Sequence, residues 1–364
     1  MTLPSVLHDC STTTPTGGIW TYIGLLRGSS LAGRYRMPVT VHPSGATGLN
    51  PAALQRLAQD MRATGATAAH LHGLQVGGLY AALAARLAGI RRAVLAVHAS
   101  EEDNIHTTVR RRMLIRRVAE PLTLRLVTAT YCVSRFSAAK PFIGRSSRCF
   151  LGCIRNGIPT PASGMTRQSA RAALGLPADA TIALFAARLA LDKGILALAE
   201  AWSLLPEALR RRSLLLVAGD GPHRSRMELR VAELGIGGTV RLLGWRDDIA
   251  SLLVACDLFV LPSLHENQSY AILEAMAAAR PVVSTTGGGT PEVVDQGVTG
   301  LLAPPADVRA LAEVLGVLCA DRGCAEAMGI AGRERVVAEF GMDRLADRMA
   351  EVYDQLLAGD GGVA

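Results

Sequence analysis

Aromatic side chains are scarce: Phe, Trp and Tyr make up 4% of the 364 residues. That leaves few rings for bases to stack on, and no binding motif accompanies the net charge of +7, so nucleic acid is not the expected partner. Lysine is scarcer still. Lys140 and Lys193 are the two lysines among 38 cationic residues, so a lysine beside a glycine stands out here. Long apolar runs are missing as well: no stretch has the length that spans a bilayer, and Met1 to Asp9 lacks the basic and apolar regions of a secretion signal. The expected location is therefore the cytoplasm. The seven cysteines are odd in number and scattered, and the nearest pairs, Cys149 with Cys153 and Cys319 with Cys324, match no zinc or redox spacing. They read as small core residues.

What is present is a long, apolar chain, 49% hydrophobic with positive mean hydropathy, sufficient for two domains with full cores. Its charge is uneven. Residues 1–165 carry 19 Lys or Arg against 6 Asp or Glu, and residues 166–364 carry 19 against 25. The first half is thus the one to meet an anionic partner. Arg110, Arg111, Arg112, Arg116, Arg117 and Arg125 fall in one block, interleaved with Met113, Leu114, Ile115, Val118, Leu122 and Leu124. Such a pattern suits a basic amphipathic helix on an anionic membrane, which would be the inner face of the plasma membrane, or else a solvated helix face in an arginine-rich protein.

Short apolar runs alternate with helical patterns throughout, the signature of α/β architecture with parallel sheets built from βαβ units. The first half predicts strands at Ser5–His8, Arg36–Val41, Thr67–Leu71, Ala93–His98, Ala129–Ser134 and Arg148–Ile154. The stretch Arg155 to Asp179, with Pro159, Pro161, Gly164, Gly175 and Pro177, reads as the connection between domains. A second alternation follows at Thr181–Ala186, Ser213–Ala218, Thr239–Leu243, Asp257–Leu261, Pro281–Ser284 and Gly300–Leu302, and three helical patterns close the chain, the last from Met342 to Leu357. In such sheets ligands bind at the carboxyl ends of strands, which directs attention to the loops there.

The most informative segment runs from Leu261 to Pro281. From Tyr270 to Ala279 the periodicity is helical and apolar on every face, so this helix should be buried, yet it carries one charge, Glu274. A buried carboxylate without a partner costs several kcal/mol, and so needs a structural Arg, a helix N-terminus or a ligand's hydroxyls. Glu266 stands eight positions earlier, in the loop feeding the helix. Arg188 and Lys193-Gly194 lie between the strand at Thr181–Ala186 and a helix start. There a point charge, a guanidinium fork and a helix N-terminus together suit an anion such as a phosphate, unless they are two ordinary exposed cations.

Weaker signals surround these. Gly219-Asp-Gly221 forms a glycine-rich turn, but Arg224 stands where a dinucleotide fingerprint needs a small residue. Gly244-Trp245-Arg246-Asp247-Asp248 could read a nucleobase edge with backbone groups, while either aspartate suits a helix N-cap. The three glycines at 287–289 suggest close approach of a ligand. In the first half, Thr16-Gly17-Gly18 opens a helix and can present N–H groups to a phosphate. His98 ends a strand at the ligand-binding edge, where either a structural or a functional role fits.

These residues together resemble the retaining GT-B glycosyltransferases of family four, the glycosyl transferases group 1. The resemblance runs on Gly17-Gly18, His98, Cys153-Ile-Arg-Asn156-Gly157-Ile, Arg188 to Lys193-Gly194, Glu266 to Glu274, and Gly287 to Glu292, in that order and spacing. It implies two Rossmann-like, doubly wound parallel-sheet domains facing each other across a cleft: residues 1–160 for the acceptor, 161–340 for the nucleotide-sugar, and a helix over 341–364 crossing back to the first domain. It also implies a metal-independent hexosyltransferase with no resident cofactor, moving a sugar from a UDP- or GDP-linked donor to a hydroxyl in glycan, lipopolysaccharide, exopolysaccharide or glycolipid assembly. The acceptor is one that could be lipid-linked or anionic.

By resemblance Arg188 and Lys193 bind the donor diphosphate, Glu274 the ribose hydroxyls, Glu266 the transferred sugar, and His98 positions that sugar. Gly17, Gly18, Gly219, Trp245, Arg246, Asn267, Gln268 and Ser269 complete the donor site. Three positions depart from the pattern: Arg155 where proline is usual, Asn267-Gln268 for a small or aromatic pair, and Ala279 where glycine is frequent. The last two surround the sugar pocket and bear on which sugar is used. The alternatives are a nucleotide-sugar epimerase of the same architecture and a catalytically degenerate nucleotide-sugar-binding protein.

Overall fold

The computed structural model of the chain describes residues 3–11, 17–42, 50–103, 108–160 and 164–358. Thr16 of the Thr-Gly-Gly turn, the preceding residues 12–15 of the first loop, and Pro161 lie outside them. The chain divides into two compact units, Met1–Pro159 with Met342–Ala364, and Thr160–Gly341.

In the first unit six parallel strands, β1 Val6–Cys10, β2 Val39–Val41, β3 Ala68–His72, β4 Arg92–Val97, β5 Ala129–Cys132 and β6 Phe150–Cys153, lie in the order β2-β1-β3-β4-β5-β6. A parallel strand is covered on both faces, which is why Val94 to Val97 read as an unbroken apolar run and are wholly buried. Alternation along β1 and β3 sends Leu7, Ala69 and Leu71 into a cluster with Leu57, Met61, Tyr80 and Ala84. The opposite face receives His8, His70 and His72, all buried.

The helix Met342–Ala358 packs within this unit: Tyr35 donates to Asp354 at 2.5 Å, Arg34 pairs with the same carboxylate at 2.7 Å, and Arg92 donates to the Leu357 carbonyl at 2.7 Å. The basic block expected as one helix is interrupted, with Val109–Leu114 and Glu120–Leu126 flanking a wider π turn over Ile115–Ala119. Its apolar residues also divide. Ile115 and Leu124 anchor it in the core, whereas Val109, Met113, Leu114, Val118 and Leu122 are exposed.

The second unit holds β7 Thr181–Ala186, β8 Ser213–Ala218, β9 Val240–Gly244, β10 Leu258–Leu261, β11 Val282–Thr285 and β12 Gly300–Ala303, all parallel, in the order β12-β11-β10-β7-β8-β9. Counted from the opposite edge this is the 3-2-1-4-5-6 order of a doubly wound nucleotide-binding sheet, in which the direction of winding reverses between β7 and β10. All twelve expected strands form.

One expectation is corrected. Arg155 to Asp179 is not connection throughout, because Arg167–Ala173 is a helix of the second unit, opened by a capping box between Thr166 and Ser169. Buried Arg171 donates to the Asp257 carboxylate at 2.5 Å and to the carbonyls of Ala255 and Ala178. Gly164, Gly175 and Pro177 flank a short helix rather than abolish it.

Candidate functional site

The reversal between β7 and β10 places two loops side by side. The loop after β7 carries Arg188 and Lys193; the loop after β10 carries Glu266. Leu264 N–H donates to the Asp192 carbonyl at 2.8 Å, tying the loops together, and Lys193 Nζ reaches Glu266 Oε1 at 2.6 Å. Ser263 donates its hydroxyl to that same oxygen at 2.7 Å. Arg188 pairs at 3.5 Å with Asp192 and leaves 62% of its side chain exposed, so its guanidinium retains donors for a further anion. Sequence reasoning did not single out Ser263 or Asp192; both act on the expected residues through space.

Helix Tyr270–Ala277 continues from the second loop with Ile272, Leu273, Ala275, Met276 and Ala277 buried, as its composition required. The Glu274 carboxylate makes no hydrogen bond or ion pair with any described residue. Burial pushes its carboxyl up to about 7. Asn267 and Gln268 are buried between Glu266 and this helix, and Ser269 occupies its N-cap without a side-chain cap bond. Ala279 ends the helix at φ 56, the left-handed region that favours glycine.

The glycines of this site have reasons within the protein. A Cβ on Gly288, which sits at φ +70, would stand 2.2 Å from the Glu266 carbonyl, and one on Gly287 would stand 2.3 Å from the Leu264 carbonyl. The glycine run is therefore required by the close pairing of its loop with Leu264 to Glu266, where Gly289 N–H donates to the Glu266 carbonyl at 2.7 Å. Contacts within the protein thus account for Gly287 and Gly288. Gly219 is likewise fixed by the Ala187 carbonyl, 2.0 Å from where its Cβ would lie. After β9, Trp245 is 65% exposed. Arg246 donates to Asp248 at 2.7 Å, so Asp248 holds the N-cap position of its helix but spends its carboxylate on that arginine instead of capping.

In the first unit Gly17, at φ 94, precedes helix Gly18–Arg27 as its N-cap residue. Here His98 stands just past β4 and lines a cavity of about 290 Å³ with Ser11, His72, Gln75, Glu101 and Arg111. These residues follow β1, β3 and β4, so the cavity sits at the carboxyl end of the sheet, beside the point where its own winding reverses. Burial lowers the His98 imidazole to about 4, which keeps it neutral. Arg188, Lys193, Glu266 and Glu274 belong to the second unit, and Gly17, Gly18 and His98 to the first.

Two successive doubly wound parallel sheets, the second with a nucleotide-binding strand order, agree with the GT-B fold of similar solved structures. A model of the glycosyl transferases group 1 family matches residues 166–335. The chain is 30% identical over 302 residues to 2-deoxystreptamine glucosyltransferase of Streptomyces kanamyceticus, covering 79% of this chain and 76% of that one. It is 34% identical over 188 residues to the lipopolysaccharide core biosynthesis glycosyltransferase LpsE of Rhizobium meliloti, 52% of this chain and 53% of that one. It spans about half the length of several curated relatives that it matches. Among solved structures, HepE of Anabaena in complex with UDP and glucose shares the fold with a TM-score of 0.80 at 22% identity, over 96% of this chain and 99% of that one. The chain belongs to the glycosyl transferases group 1 family.

Proposed function

We propose that this protein is a retaining glycosyltransferase that moves a sugar from a nucleoside diphosphate sugar, UDP- or GDP-linked, to a hydroxyl acceptor in glycan, lipopolysaccharide or glycolipid assembly. The observation that carries this reading is the Lys193–Glu266 pair, 2.6 Å apart at the switch point, with the Glu274 carboxylate, which has no partner among the described residues, in the helix that follows. A diphosphate beside Lys193 and Arg188 would meet two cations where charge develops on the leaving group, and this electrostatic support is the largest single demand of the reaction. Two cations in that place are the reason to propose a reaction without a metal ion. Ribose hydroxyls would give Glu274 the hydrogen bonds it lacks, and Glu266 would hold hydroxyls of the sugar. His98 would position that sugar.

The similarity to 2-deoxystreptamine glucosyltransferase and to LpsE, a glycosyltransferase of lipopolysaccharide core biosynthesis, supports glycosyl transfer. HepE, seen with UDP and glucose, puts uridine first among the bases to try. The expected test is a thermal-shift panel of UDP-, GDP- and ADP-sugars: a bound donor raises Tm through mass action, and no shift with any of them overturns the reading. Labelled UDP-sugar without acceptor separates the epimerase, which turns over alone.

We also propose that the protein works at a membrane surface, a reading that a second observation supports. Val109, Leu114 and Val118 are 69%, 64% and 53% exposed beside Arg110, Arg111, Arg116 and Arg117, also exposed. Among the described residues no helix is long and apolar enough to cross a membrane. An apolar edge with basic neighbours suits a helix lying in the headgroup region and an acceptor that is lipid-linked or anionic.

A further inference from the structure

Four histidines converge on one side of the first unit's sheet. His8 and His70 are register partners across β1 and β3, His72 follows on the same face, and His98 stands just past β4. Tyr22 from helix Gly18–Arg27, Tyr131 from β5 and Tyr353 from helix Met342–Ala358 close over them, and all but His98 are wholly buried.

Their polar atoms form one unbroken chain. His98 Nε2 lies 3.2 Å from His72 Nδ1, His72 Nε2 lies 3.1 Å from His8 Nδ1, and His8 Nε2 lies 3.3 Å from the Tyr353 hydroxyl. That hydroxyl is 2.7 Å from His70 Nδ1, and His70 Nε2 is 2.9 Å from the Tyr131 hydroxyl, which meets Tyr22 at 2.6 Å. Charged groups around the cluster include Asp9, which accepts from His72 N–H at 2.7 Å and faces His42 at 3.2 Å, Glu101 and Arg111 at the cavity, and Arg27, which adds to the burial that lowers His8 to about 3. His70 and His72 are lowered well below the ordinary value by burial and by neighbouring histidines, His8 and His98 for both and His70 also for His72.

A neutral imidazole has one N–H and one lone pair. Each bond in the chain needs one of each, so the tautomers are coupled in series: the nitrogen that carries the proton in His8 decides the nitrogen in His72, which decides it in His98. The protonation pattern of His98 is thereby coupled, through His72 and His8, to whether the Tyr353 hydroxyl donates to His8 or accepts from it. We propose that His72 and His8, anchored by Tyr353, are positioning residues that fix the tautomer and ring orientation of His98. The consequence for catalysis rests on the reading of His98 as a contact of the transferred sugar. A metal ion is the competing occupant, since ligand atoms of His8, His70 and His72 lie within 4.8 Å of one another, but it would take the lone pairs that these hydrogen bonds use.

The experiment is 15N NMR of the full chain with labelled histidine, in which protonated and bare ring nitrogens resonate apart. The wild type should show one tautomer at His98. Tyr353→Phe, which deletes one hydroxyl remote from the cavity, should mix the tautomers of His8, His72 and His98 and lower kcat about tenfold with KM little changed. If that variant does not fold, His8→Asn, which keeps an amide near the Nδ1 position and loses the Tyr353 bond, serves in its place. His72→Asn should recover part of the turnover lost in His72→Ala. Unchanged His98 ring shifts in folded Tyr353→Phe and His72→Ala overturn the proposal, as does stoichiometric zinc that survives purification and whose removal disorders the cluster. Full activity in His98→Ala instead sinks the sugar-contact role alone, since the ring shifts still decide the coupling.

Discussion

Lys193 Nζ rests 2.6 Å from Glu266 Oε1, one residue from the loop after β7 and the other from the loop after β10. The pair spans the switch point of the second sheet, and the Ser263 hydroxyl fixes its geometry from below. A diphosphate near Lys193 therefore arrives at a cation already oriented by a carboxylate, and a sugar near Glu266 meets a carboxylate already oriented by an ammonium. Lys193→Ala is expected to lower kcat by about 10²–10³ and to weaken donor binding. Lys193→Arg should recover little, because the fork geometry does not replace a point charge seated between Glu266 and a phosphate. Steady-state kinetics with the donor found in the thermal-shift panel check both.

Glu274 should trade stability for binding. Its folded-state pKa is raised from 4.5 to about 7, so the folded protein favours the protonated form, and the cost of the charge is absent below about 4.5, grows with pH, and is complete above about 7. Glu274→Gln is then expected to stabilise the free protein by roughly 1–3 kcal/mol at pH 8 and by almost nothing at pH 4.5, while abolishing the donor-induced rise in Tm. Chemical denaturation at the two pH values, with and without donor, is the measurement. A variant destabilised at pH 8 would mean that the carboxylate has a partner in the fold.

Ala279 carries strain that glycine would relieve. An alanine at φ 56 brings its Cβ too close to the following carbonyl, at a cost of roughly 1–2 kcal/mol, partly offset by the extra chain entropy glycine has when unfolded. Ala279→Gly should stabilise by about 0.5–1 kcal/mol, read as a shift in denaturant midpoint at constant m-value.

The exposed apolar and basic edge of Val109 to Leu122 makes a prediction about membranes. The protein should float with anionic liposomes and less so as salt rises. Replacing Arg110, Arg111, Arg116 and Arg117 with Gln should weaken flotation at low salt, and Leu114→Ser with Val118→Ser should weaken it at every salt concentration. No flotation of the wild type, or none that salt affects, sinks the idea.

Much of this architecture could be read directly from residue order, for identifiable reasons. Parallel strands are covered on both faces, so Leu214 to Ala218 or Val94 to Val97 stand out as apolar runs whatever surrounds them. Glu274 was conspicuous because a single charge on an apolar helix has no local excuse. What could not be read is what depends on distant contact. The demand for glycine at 287 and 288 comes from carbonyls of Leu264 and Glu266, on another loop. The helix Arg167–Ala173 hid among prolines because what holds it, Arg171 on Asp257, joins residues 86 apart in sequence. His8, His70 and His72 gave only the faint cue of a histidine on alternate positions of β3, and their partner Tyr353 is 283 residues from His70.

That last separation bears on how the protein is made. The first compact unit is assembled from Met1–Pro159 and Met342–Ala364, with the whole of the second inserted between. On the ribosome, at about 5–20 residues per second, the second unit can fold as a continuous segment while the first waits some ten seconds or more for the helix that covers its histidines. Until Met342–Ala358 emerges, that face of the first sheet lacks its covering helix, so the late segment decides when the first unit is finished, and a nascent chain stalled before it should remain sensitive to protease in residues 1–159 while residues 160–341 resist.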